Sequence, residues 1–164
     1  MLFDPGLARA ERIERLNGLG DVRDCIVAGL TATVETQDWA RFEPWLFAAF
    51  LQPSTDMTEL LSGVLSQLNP EVHNEDLVDV LAEIGDPRAI GAIEDALLWE
   101  PDWDEYHNLG LKCVWALGAI GTDEARSILE DTATVGPERI REHARHQIEQ
   151  LEAADRNRCA DVDE

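Results

Sequence analysis

Apolar residues along this chain recur at i, i+3, i+4 spacing in short runs, as in Leu77, Val80, Leu81 and Ile84 and again in Ile90, Ile93 and Leu97. That spacing places them on one stripe of an α-helix. No strand-like alternation competes with it. The runs predict helices over residues 5–19, 21–35, 39–51, 56–68, 75–84, 87–99, 107–120, 123–134 and 138–154. The 107–120 segment carries Leu109, Cys113, Val114, Leu117 and Ile120 on one side and Leu111, Trp115 and Ala119 on another. A helix apolar on two sides is expected to pack on both, as the middle of a stack does.

The breaks between runs share one grammar. In Gly85-Asp86-Pro87-Arg88, glycine supplies the left-handed residue that ends one helix, aspartate caps the next, and proline occupies a first-turn position where no amide is needed. Gly121-Thr122-Asp123-Glu124 and Gly136-Pro137-Glu138 repeat the pattern. Near the start, Leu16, Leu19, Gly20, Asp21 and Arg23 match Leu81, Ile84, Gly85, Asp86 and Arg88. Repeated joints imply repeated units.

The sequence LAEIGDPRAIGAIEDAL at 81–97, with its echo at 117–132, resembles the HEAT-like repeats, including the short bacterial kind first associated with phycobilisome lyases. The resemblance implies an all-α fold, an α-solenoid of about four stacked antiparallel helix pairs. It also implies that Asp86 and Arg88 are structural and join neighbouring repeats, with Gly85 and Gly121 at the joints. Thr122 and Glu124 depart from the Asp and Arg of that pattern, so the ladder is expected to break there. The family mostly binds proteins, although some members are enzymes.

Length and composition fit a single domain, expected over 1–151, followed by an acidic and disordered tail over 152–164. Three cysteines without a C-x-x-C pair, Cys25, Cys113 and Cys159, argue for reduced thiols and a cytoplasmic location rather than a disulfide framework. The early charges of MLFDPGLARAERIERL do not fit a signal peptide, and no apolar run approaches the length of a membrane span. The formal net charge is -21, from 34 acidic and 13 basic residues. This disfavours nucleic acid, whose binding rests on Lys and Arg at phosphates. Between Glu71 and Glu105 twelve acids face one basic residue, Arg88. Such a field attracts a basic partner, or it serves solubility alone; both readings stand at this point.

Candidate chemistry concentrates in 99–106, where Trp99, Trp103 and Tyr106 interleave with Glu100, Asp102, Asp104 and Glu105. Aromatics supply contact area and carboxylates accept from Lys or Arg, which suits a protein interface, while a local cluster tucked beneath the helices is the structural alternative. A second aromatic run, Trp39, Phe42, Trp45, Phe47 and Phe50, is expected to be mostly core, with any exposed remainder forming a docking patch. Pro44 within it suggests a helix start or a kink.

On the last helix Glu142, His146 and Glu149 share a face beside His143, but Arg139, Arg141 and Arg145 stand among them and oppose a metal ion. The His-Glu dyads of iron-binding HEAT-like hydroxylases are absent, as are the common nucleotide-binding and nucleophile motifs. The chain is therefore expected to bind a basic protein without cofactor or metal, as an adaptor or an immunity protein that neutralises a toxin. The alternative is a HEAT-like enzyme or accessory subunit with a site near His143 and His146. Oligomeric state is left open.

Overall fold

A computed structural model describes residues 11, 14, 22–102 and 104–160. Among these residues there are no strands and eight α-helices: α1 (Arg23–Glu35), α2 (Trp39–Leu51), α3 (Thr58–Leu65), α4 (Asn74–Ile84), α5 (Ile90–Leu98), α6 (Asn108–Ile120), α7 (Asp123–Thr132) and α8 (Glu138–Ala160). Short 3-10 turns, Thr55–Met57 and Pro87–Ala89, lead into α3 and α5. Of the helix expected over 5–19 only residues 11 and 14 are described, both helical and exposed, and most of the joint at 16–24 lies outside the described residues.

The joints form as their sequences dictate. Gly85 takes φ 67°, and its amide closes α4 on the Leu81 carbonyl at 3.0 Å. Asp86 is then extended and accepts from the Arg88 amide, so the chain reverses within two residues. Gly121 repeats this at φ 65°, and Thr122 Oγ1 accepts from the Ala125 amide to start α7. The third joint turns at Gly136, with φ 106°.

Consecutive helices pair as α1 with α2, α3 with α4, α5 with α6 and α7 with α8. The second helices pack in series, α2 on α4, α4 on α6 and α6 on α8, and the first helices α3, α5 and α7 form the other layer. This arrangement is an all-helical repeat stack. Packing is closer along the second helices than along the first. The core runs continuously from Ile26 and Leu30 through Phe42, Leu61, Leu77, Leu81 and Ile93 to Leu117, Leu129 and Ala144.

Helix α6 is the centre, touching α4, α5, α7 and α8. Leu109, Leu111, Cys113, Val114 and Leu117 are all buried. Its second side is only partly covered, however, because Trp115 and Ala119 face solvent. In α2, Asp38 caps the helix through the Arg41 amide, so the helix begins well ahead of Pro44 rather than near it. The carbonyl that Pro44 cannot serve belongs to Ala40, which is exposed and can reach water.

The C-terminal segment also differs from expectation. Helix α8 continues to Ala160 instead of ending near residue 154. Polarity was the only stop signal there, and polarity does not end a helix: no Gly or Pro follows Leu151, while Glu, Ala and Arg are good helix formers. Arg126 of α7 holds Asp155 at 2.5 Å, Arg156 lies 3.7 Å from Glu152, and Leu151 packs on the core.

Candidate functional site

The acidic block is not one patch. Asp86 is buried and structural: its carboxylate receives Thr58 Oγ1 at 2.9 Å, the Arg88 amide at 3.0 Å and the Arg88 guanidinium at 2.6 Å. Arg88 also donates to the Thr55 carbonyl at 2.8 Å and lies 3.4 Å from Glu59. The pair thus ties the start of α5 to the start of α3, one repeat back. These donors hold the Asp86 carboxyl down from 3.8 to about 2, the Arg88 side chain contributing most. Next in the block, Glu75, Asp76 and Asp79 of α4 surround Lys112 of α6, the only lysine in the chain, at 3.9, 3.9 and 2.6 Å. Burial raises the Glu75 carboxyl despite that lysine. Glu71, Glu83, Glu94, Asp95, Glu100, Asp102 and Glu105 remain on the surface.

The 99–107 loop replaces a tight joint, and Asp104 explains how it closes. Its buried carboxylate accepts from the amides of Asn108 at 2.7 Å and Leu109 at 2.9 Å, satisfying the open start of α6. His107 turns the chain at φ 54°. Trp99 is half-buried and packs against the core, Tyr106 is 66% exposed, and Glu100, Asp102 and Glu105 are exposed. Trp103 lies outside the described residues. The seven residues singled out from sequence therefore divide into a cap, a half-buried ring, an exposed acidic and aromatic set, and one undescribed side chain.

Beside this loop runs a cleft of about 370 Å³, bounded by the end of α5, the α7–α8 connection and the first turn of α8. Leu97, Trp99, Ile128 and Ile140 form its apolar wall. Leu98 and Val135 stand at its edge, 75% and 73% exposed, and Glu94, Glu100 and Asp131 supply carboxylates. No lysine or arginine is among the described residues lining it. The nearby guanidiniums are engaged: Arg139 donates to the Tyr106 carbonyl at 2.7 Å, and Arg145 reaches Glu138 and the Ala133 carbonyl. Nothing local in the sequence joins Glu94, Leu98, Asp131 and Val135, which the fold brings to one cleft. The available signals were small: Leu98 falls off the Ile90, Ile93, Leu97 stripe, and Val135 is an apolar residue in a turn beside Gly136.

A second cleft, about 380 Å³, lies between α2 and α4 and is lined by Phe47 and Phe50 together with Glu43, Asp76 and Asp79. The aromatic run thus divides between Phe42, buried in the core, Trp39 and Trp45, half-buried against it, and Phe47 and Phe50 on the wall of this cleft.

The histidines have different partners. His143 Nδ1 accepts from Trp115 Nε1 at 3.2 Å, with ring centroids 5.6 Å apart, whereas His146 Nε2 is 2.9 Å from Gln150 Nε2. Glu142 and Glu149 are exposed, and Arg141 and Arg145 both pair with Glu138. Among the described residues no group of three His, Cys, Asp or Glu is placed to hold a metal ion. Burial pushes the Cys113 thiol far up, leaving it a small apolar core group, while Cys25 is exposed. No helix among the described residues is long and apolar enough to cross a membrane.

Residues 111–132, covering most of α6 and all of α7, match the PBS lyase HEAT-like repeat, which supports a HEAT-like repeat family. The match falls on the second of the two similar units rather than on the one carrying Asp86 and Arg88. No curated protein and no solved structure matches the chain.

Proposed function

We propose that this HEAT-like repeat chain is a non-enzymatic binding module for a basic protein, working in a bacterial cytoplasm as an adaptor or as a neutralising partner of a toxin. The observation that carries the reading is the exposed set Glu100, Asp102, Glu105 and Tyr106 on the α5–α6 loop, beside a cleft whose described lining holds Glu94, Glu100, Asp104 and Asp131 against the single imidazole of His107. Carboxylates there attract cations at a distance, and the aromatic ring adds contact area once the partner has docked. Asp104 serves this surface indirectly, by fixing the loop on α6. The separate partners of His143 and His146 give no comparable support to a catalytic or metal site at α8.

The test is capture from the native cell with wild-type chain and with Glu100→Gln, Asp102→Asn, Glu105→Gln. A basic protein retained by the first and lost by the triple variant is expected. Equal retention by both, or an acidic partner, contradicts the reading.

A further inference from the structure

The cleft between α5 and the α7–α8 connection combines two demands that few occupants meet together. Leu98 and Val135 are large apolar side chains left about three-quarters exposed on either side of it. An occupant with only cationic groups leaves both in water. Glu94, Glu100 and Asp131 border the same space, and an occupant with only apolar groups strips water from those carboxylates without replacing it. The last turn of α5, which ends here, holds no basic residue. The α7 end is less open, because Arg145 reaches the Ala133 carbonyl. At about 370 Å³ the space is at the small end of ligand clefts and suits a few side chains rather than a broad surface.

We propose that this cleft seats a short basic amphipathic segment of the partner protein, with a large apolar side chain held between Leu98 and Val135 and Lys or Arg groups against Glu94, Glu100 and Asp131. The inference rests on the binding of a basic partner proposed above and adds where, and by what kind of segment, that partner is gripped. Charge steers the segment in, while the apolar side chain supplies the selectivity that an acidic surface alone lacks.

Two labelled peptides of equal length separate this inference from the reading beneath it. One repeats Lys-Leu-Leu-Lys and the other is oligolysine; each is titrated into the full chain by fluorescence anisotropy. The leucine-containing peptide is expected to bind about tenfold more tightly, the ratio that burial of one large apolar side chain gives. Leu98→Ser with Val135→Ser is expected to remove that preference at unchanged melting temperature, since both side chains are exposed. Glu94→Gln with Asp131→Asn is expected to weaken the leucine peptide and flatten its salt dependence. A preference that survives Leu98→Ser with Val135→Ser overturns the cleft proposal. Equal binding of both peptides overturns it too, yet leaves the basic-partner reading in place, whereas binding of neither removes both. Self-association of the chain that is lost in Leu98→Ser would place a second copy in the cleft and likewise overturn the proposal.

Discussion

Asp86 concentrates more hydrogen bonding than any other carboxylate described above, receiving Thr58 Oγ1 together with the amide, Nε and Nη2 of Arg88. Because its folded value is depressed, it contributes stability at pH above 3.8, and that contribution is lost as pH falls toward about 2. Asp86→Asn is therefore expected to lower the melting temperature at neutral pH and to show a smaller further fall than wild type across that acid window, measured by circular dichroism. Asp86→Ala is expected to cost about 2 kcal/mol, from the lost cap and the buried Thr58 hydroxyl left without an acceptor. At the neighbouring position, Gly85→Val meets open space, its nearest non-neighbour atom being the Ala82 carbonyl oxygen at 3.9 Å. Its cost is thus conformational, about 1 kcal/mol or more for a β-branched residue at φ 67°. An unchanged denaturation midpoint would show that the left-handed joint contributes nothing.

At the scale of elements, the joints were legible because their causes are local: Gly85, Asp86 and Pro87 each act within one turn. The clamp of Arg88 on the Thr55 carbonyl is a contact between residues 33 apart, and only the family resemblance implied it. The 99–107 loop was legible as an exception but not in its division of labour. From sequence, Asp104 is one acid among four, whereas in the fold its carboxylate caps α6. Asp104→Ala is consequently expected to destabilise the chain by about 1–2 kcal/mol, and Glu100→Gln, on the surface, by less than about 0.5 kcal/mol. Similar midpoints in urea for the two variants would contradict that division. The end of α8 differs for another reason: a solvated face and a frayed tail have the same composition, and what separates them here is the lack of a Gly or Pro stop after Leu151 together with the anchor of Asp155 on Arg126.

Across the whole molecule, the excess of acid is distributed by role. Part of it builds joints, as Asp86 and Asp104 do, and part surrounds Lys112 between α4 and α6. What remains outside includes Glu94, Glu100, Asp102 and Glu105 near the cleft at the α5–α6 and α7–α8 connections. Composition disclosed the sign of this field but not its place, because Glu94 and Asp131 are far apart in sequence and meet only when the repeats stack. The proposed recognition of a basic partner rests on this acidic surface. Its most direct test is the slope of binding affinity against salt concentration for the captured partner, compared between wild type and Glu100→Gln, Asp102→Asn, Glu105→Gln. Affinity is expected to fall steeply with salt for wild type and to show a weaker, flatter dependence for the triple variant. Identical affinities and slopes for the two proteins would contradict it.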